Sequence, residues 1–174
     1  ANFIDQDLTA EDIHRVHVNR GFDEIGYHFI ILRDGSLQLG RDINKVGAHA
    51  LRRNAHSIGI SFVGGINLTS SEAKRLGGYQ AVANNGTYAS SDSLTDAQFK
   101  TFDMFMDSFF SAFPYGQAFG HMDTDPNRKP DPGFDVREYC KNKFNKNIFA
   151  SPYPDNSYSL DALIALGKIQ KETA

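Results

Sequence analysis

The fold class is decided by residues 27–39, which read YHFIILRDGSLQL. Residues 27–32 are rich in aromatic and β-branched side chains, which is typical of a largely buried strand. Asp34-Gly35 is a turn dipeptide, and the alternation in Leu37-Gln38-Leu39 predicts a returning strand, so the stretch predicts a β-hairpin. Residues 57–63 (SIGISFV) predict a third strand that ends at a Gly pair.

Helices are predicted on both sides of these strands. Thr9 can cap a helix that should stop at Gly21, and Thr95 with Gln98 forms a capping-box pattern. After Gln98, Phe and Met recur at steps of three and four residues as far as Phe113, which predicts a long amphipathic helix that buries its apolar face. Strands separated by helices indicate a mixed α/β domain.

The rest of the chain carries weaker signals. Residues 67–93 are polar and rich in small side chains, so we expect a long loop that is too polar to form a core. Residues 118–121 predict a short strand that delivers His121 to the sheet edge. A short helix is predicted at residues 135–144. Two prolines in residues 145–157 indicate a linker, and residues 159–171 predict a terminal amphipathic helix.

Composition narrows the function classes. The chain has 174 residues and a formal net charge of -3, with no basic stripe that would favour nucleic acid as a partner. Its single cysteine, Cys140, excludes an internal disulfide and an all-thiolate zinc site, and is expected to be a buried packing thiol. No apolar run approaches 18 residues, so no membrane span is predicted.

Residues 119–134, FGHMDTDPNRKPDPGF, carry the chemistry. His121, Lys129 and Asp131 could bring an imidazole, an ammonium and a carboxylate to one point. A cation would take the imidazole nitrogen and the carboxylate oxygen as ligands, and the lysine would stabilise negative charge on a bound substrate. The prolines would stiffen such a loop. The alternative is a surface turn rich in Asp and Pro without function.

Several short motifs occur together along the chain. They are RGF at 20–22, GYHF at 26–29, RDG at 33–35, GAHA at 47–50, SIGI at 57–60 and the stretch 121–134. In this order and spacing, residues 8–140 resemble the zinc N-acetylmuramoyl-L-alanine amidases, the family of phage endolysin amidases and peptidoglycan recognition proteins. The resemblance implies one domain at residues 1–144, with a central mixed β-sheet flanked by helices, followed by the linker and helix of residues 145–174.

The resemblance also implies roles for individual residues. His121 and Asp131 match zinc ligands, Lys129 matches the catalytic lysine, Tyr27 matches a catalytic tyrosine, and His49 matches a histidine that lines the substrate cleft. His17 matches a helical histidine in the family pattern HxxRGF. By its position in the strand, His28 faces away from Tyr27 and should be structural, whereas His14 should be an exposed helix residue.

One family feature has no match in this sequence. Family members carry another zinc-ligand histidine on a first strand, before the first helix. Residues upstream of Ala1, a strand donated by a partner chain, or loss of metal with retained binding would each account for the difference. The resemblance therefore implies a zinc hydrolase that cuts peptidoglycan in the bacterial cell wall, with an inactive peptidoglycan-binding module as the alternative. A third possibility is an interaction subunit that uses residues 67–93 or the terminal helix.

Overall fold

A computed structural model describes residues 2–83, 88–124 and 131–146. The strands are β1 (Asn2–Phe3), β2 (Phe29–Ile31), β3 (Leu37–Leu39), β4 (Ile60–Phe62) and β5 (Gly65–Ile66). The helices are α1 (Ala10–Asn19), α2 (Ser70–Arg75), α3 (Tyr79–Ala83), α4 (Asp96–Ala112), α5 (His121–Thr124) and α6 (Val136–Phe144), with 3-10 turns at Asn54–His56 and Ser91–Ser93.

The main sheet has three strands in the order β3-β2-β4. The central strand β2 is antiparallel to β3 and parallel to β4, so that Ile30 pairs with Gln38 on one side and with Ser61 on the other. β1 and β5 form a separate parallel pair. The sheet is therefore mixed, as predicted, and the hairpin of β2 and β3 is confirmed.

Successive residues of β2 enter two different cores. Ile30 packs with Ile13 of α1, whereas Ile31 packs with Phe102 of α4 and with Cys140 of α6. All five side chains are buried. Because neighbouring strand residues face opposite sides of a sheet, α1 covers one face and α4 with α6 covers the other. The predicted inward position of Cys140 is confirmed.

Both long helices begin at the predicted caps. Thr9 caps α1 and Thr95 caps α4, each through a hydroxyl that accepts a backbone N–H of the first turn. In α4 the capping partner Gln98 is fully buried. Its amide group donates to the carbonyls of Ile31 and Val63, each at 3.0 Å, and its Oε1 accepts the N–H of Thr95 at 3.0 Å. One side chain thus ties α4 to β2 and to the residue after β4.

The strand predicted at residues 118–121 is wrong. His121 begins α5 instead, and the N–H of Gly120 donates to Asp123 Oδ2 at 2.8 Å. This local side-chain hydrogen bond satisfies a backbone donor that a strand would need for pairing. The turn sets the position of His121 at the start of α5.

The polar segment of residues 67–93 is more ordered than predicted. It contains α2, α3 and a 3-10 turn, and Ala73 and Val82 are buried together with Phe3 and Ile66. The prediction that this segment is too polar to form a core is wrong, because its small core is completed by Ile66, directly before the segment, and by Phe3 near the start of the chain. The predicted linker and terminal helix beyond Lys146 lie outside the described residues.

We expect Gln98→Met to lower the free energy of unfolding by about 1–3 kcal/mol, because the buried carbonyl of Val63 loses the donor that Gln98 supplies. The carbonyl of Ile31 loses one of two donors and keeps the N–H of Val63. Urea denaturation measures the change. Gln80→Met, on the exposed face of α3, is the matched control. Equal stability of the two variants would contradict the role assigned to Gln98.

Candidate active site

One cleft of about 540 Å³ is lined by Tyr27, His49, His121 and Asp131. These are four of the five residues that the sequence predicts for the site, and they come from four separate parts of the chain. The fifth, Lys129, lies outside the described residues. The cleft therefore brings together side chains that are up to 104 positions apart, from Tyr27 to Asp131.

His121 and Asp131 are in direct contact in this cleft. His121 Nδ1 lies 3.1 Å from Asp131 Oδ1, and the two side chains are 26% and 18% exposed. The backbone links the same two segments, because the N–H of Met122 donates to the carbonyl of Asp131 at 3.2 Å. The start of α5 and the turn before α6 thus hold an imidazole nitrogen and a carboxylate oxygen side by side.

Tyr27 lies two residues before the start of β2 and is partly buried. Burial, together with the nearby negative charge of Asp131, raises the pKa of Tyr27 to about 12. The phenol is therefore protonated at neutral pH and is available as a hydrogen-bond donor. Its ring centroid lies 5.5 Å from that of His17 and 6.3 Å from that of His49.

His49 is held by its backbone and by two glycines. The N–H groups of His49 and Ala50 both donate to Asn54 Oδ1, at 2.9 and 2.8 Å. A Cβ atom on Gly47 or on Gly59 would collide with the imidazole ring, so these positions leave room for the ring only because they are glycine. Burial and the nearby His28 lower the pKa of His49 to about 4, which keeps the imidazole neutral at neutral pH.

His28 has a structural role, as predicted. Its Nδ1 accepts the N–H of Gly59 at 2.9 Å, and its Nε2 lies 3.0 Å from the carbonyl of Lys45 and donates to it. Both ring nitrogens are occupied, which fixes the neutral tautomer. His28 therefore anchors the loop before His49 to the start of β4.

The sequence did not predict the apolar wall of the cleft. Ile58, Phe62, Phe105 and Phe109 line it, although the periodic Phe pattern of α4 predicts that Phe105 and Phe109 pack in the core. A signal was present, since the apolar stripe of α4 is wider than one packed face requires. Arg53 also lines the cleft, and no motif in the sequence pointed to it.

The strand β4 borders the cleft and has a neighbour on one side only within the described residues. Gly59 and Val63 exchange backbone hydrogen bonds with β2. Because backbone groups alternate along a strand, those of Ile60 and Phe62 point to the opposite edge. The part of the chain that the structure describes thus leaves one edge of the sheet open along the cleft.

His121 and Asp131 fit two positions of a zinc site. Ligand atoms on a tetrahedral zinc with bonds of about 2.0–2.2 Å are roughly 3.3–3.5 Å apart, close to the 3.1 Å between Nδ1 and Oδ1. Within residues 2–83, 88–124 and 131–146, no group of three or more His, Cys, Asp or Glu side chains is arranged to hold a metal. Among the same residues, no helix has the length and apolar character needed to span a bilayer.

Comparison with known proteins identifies the family. The profile of the N-acetylmuramoyl-L-alanine amidases (Amidase_2) matches residues 3–134, so this chain belongs to that family. The endolysin of Enterobacteria phage K11 is 29% identical over 135 residues, which cover 78% of this chain and 76% of that protein. The resemblance predicted from the motifs is confirmed.

Two further relatives show the range of the family. The peptidoglycan-recognition protein SC1a of Drosophila melanogaster is 37% identical over 78 residues, covering 44% of this chain and 42% of that protein. The solved structure of the N-acetylmuramoyl-L-alanine amidase LysC from Clostridium intestinale URNW superposes with a TM-score of 0.59 at 25% identity, covering 83% of this chain and 82% of that one. The predicted fold class is confirmed.

The depressed pKa of His49 predicts acid-sensitive stability. Because the folded pKa of about 4 lies below the ordinary value of 6.5, the unfolded chain binds the proton first. The contribution of His49 should be complete above about pH 6.5 and should fall as the pH drops towards 4. We expect His49→Gln to flatten the pH dependence of unfolding in this window, measured by urea denaturation in the presence of a chelator.

His56→Gln is the control, because His56 is an exposed histidine of the same segment. This variant should keep the wild-type slope. A His49→Gln protein whose stability still falls as steeply as that of the wild type would show that another group titrates.

Proposed function

We propose that this chain is a zinc-dependent hydrolase that cleaves the amide between the lactyl group of N-acetylmuramic acid and L-alanine of the peptidoglycan stem peptide. The observation that carries the proposal is the His121–Asp131 pair at 3.1 Å, in the same cleft as Tyr27 and His49. Membership of the amidase family supports it. Peptidoglycan, which joins a glycan to a peptide, is the proposed partner.

His121 and Asp131 would hold the zinc ion. Zinc in such a site supplies Lewis acidity, which polarises an amide carbonyl and lowers the pKa of water. Tyr27, which keeps its proton, would donate a hydrogen bond to the reacting group and orient it. The ammonium group of Lys129 would stabilise negative charge that develops on the amide oxygen. His49 would contact the substrate as a neutral side chain.

The lining of the cleft suits an amphipathic ligand. Its walls combine the apolar side chains of Ile58, Phe105 and Phe109 with the polar groups of the site, and its volume is within the range of ligand pockets. The apolar wall would take the methyl and ring carbons of a sugar-peptide junction. The polar groups would select the position of the amide.

A third protein ligand would come from outside the described residues. Catalytic zinc sites commonly use three protein ligands. A strand placed along the open edge of β4, from this chain or from a partner chain, would border the cleft and could carry such a ligand. The exposed backbone groups of Ile60 and Phe62 are the pairing partners that such a strand requires.

We expect Asp131→Ala to abolish turnover of muramic-acid-containing wall fragments and to lower zinc content, because it removes a charged ligand. Zinc is measured by metal analysis and turnover by release of the stem peptide. Asp107→Ala removes an exposed carboxylate of α4 and should leave both unchanged. Undiminished hydrolysis by Asp131→Ala would contradict the proposal that Asp131 is a zinc ligand.

The second candidate function is peptidoglycan binding without catalysis. It is favoured by the lack, within the described residues, of a group of three metal-binding side chains. The same two measurements on the unaltered protein separate the candidates. Stoichiometric binding of wall fragments with neither zinc nor hydrolysis would favour the binding module.

A further inference from the structure

His17 of α1 is buried behind the cleft and hydrogen-bonded to the backbone through Nδ1. His17 is 8% exposed and lies in the last turn of α1. Its Nδ1 accepts the N–H of Gly26 at 2.9 Å, which requires the neutral ring with its proton on Nε2. The ring of Phe22 stacks on His17 at 5.0 Å, and that of Tyr27 lies 5.5 Å away.

Gly26, whose N–H His17 accepts, connects the segment of Tyr27 with the segment of His49. Gly26 directly precedes Tyr27, and its carbonyl accepts the N–H of Ala48 at 3.0 Å, one residue before His49. A Cβ atom at Gly26 would collide with the carbonyl oxygen of Ala48. Gly26 is therefore hydrogen-bonded to α1 through its N–H and to the His49 segment through its carbonyl, and it is covalently joined to Tyr27.

A second histidine of α1 reinforces this arrangement. His14 Nδ1 accepts the N–H of Ile25 at 3.3 Å, so α1 receives two consecutive amides of the segment before Tyr27. The prediction that His14 is an exposed helix residue is wrong, because its side chain is half-buried and accepts this hydrogen bond. On the opposite side, Arg41 Nε donates to the carbonyl of Ile25 at 2.8 Å. The segment of residues 25–27 is held from two directions.

We propose that His17 is a positioning residue, which fixes Tyr27 and His49 relative to each other through the Gly26 N–H. The proposal rests on the proposed function for its effect on turnover, although the hydrogen bond itself can be tested without catalysis. A histidine that only filled space in the core would be replaceable by any side chain of similar volume. A positioning residue needs the acceptor at Nδ1.

Two substitutions separate these roles. His17→Leu keeps apolar bulk but removes the acceptor, whereas His17→Asn keeps an acceptor close to the position of Nδ1. Asn19→Leu, at an exposed position of the same helix, is the control. Hydrogen exchange of the Gly26 amide by NMR reports on the hydrogen bond, and steady-state kinetics on muropeptides report on the site.

In His17→Leu we expect the Gly26 amide to exchange about tenfold faster or more, as its acceptor is lost. We expect kcat to fall about tenfold or more with a smaller change in KM, because Tyr27 is displaced from the reacting group. His17→Asn should restore both to within about threefold of the wild type. If the Leu variant does not fold, His17→Gln, whose acceptor lies one bond further out, replaces it.

Unchanged Gly26 exchange in a folded His17→Leu protein would overturn the proposal, as would an Asn variant impaired as severely as the Leu variant. Failure of the hydrolase proposal looks different. In that case the unaltered protein lacks turnover, while the exchange of Gly26 still distinguishes the Leu variant from the Asn variant.

Discussion

The position of the site depends on the two hydrogen bonds that Gln98 donates to the carbonyls of Ile31 and Val63. They fix α4 against the last residue of β2 and the residue after β4, two strands that are already paired in parallel by their backbones. Because β2 and β4 are parallel, the residues that precede them lie at the same end of the sheet. Tyr27 precedes β2, and Gly59, which makes room for His49, precedes β4.

The buried polar side chains around the cleft differ in whether they are hydrogen-bonded to the backbone. His28, His17 and Gln98 are buried and hydrogen-bonded to backbone groups, and these bonds make the protein rigid around the cleft. His49 differs, because its Nε2 is buried without a hydrogen-bond partner among the described residues. Rigid neighbours thus surround a ring nitrogen, Nε2 of His49, that has no hydrogen-bond partner in the part of the chain that the structure describes, a combination typical of sites that accept a ligand.

Much of this arrangement could be predicted from the sequence. Local signals sufficed for the caps at Thr9 and Thr95 and for the Asp-Gly hairpin, because these depend on neighbouring residues alone. The order of the short motifs was enough to predict the family. The small core around Ala73 and Val82 could not be predicted, since it needs Phe3, which lies 70 positions before Ala73 in the sequence. The hydrogen bond from Gly26 to His17 could not be predicted either, because it depends on how α1 packs against the segment before β2.

The cleft draws its groups from both halves of the domain, and this has a consequence for biosynthesis. Tyr27 and His49 emerge early from a ribosome, whereas His121 and Asp131 emerge only after α4 has been made. Contacts between such distant parts of a chain form late in folding, because closing the intervening loop costs entropy. A nascent or truncated chain that stops before residue 121 contains the residues of the hairpin and of α4, yet it holds neither half of the His121–Asp131 pair.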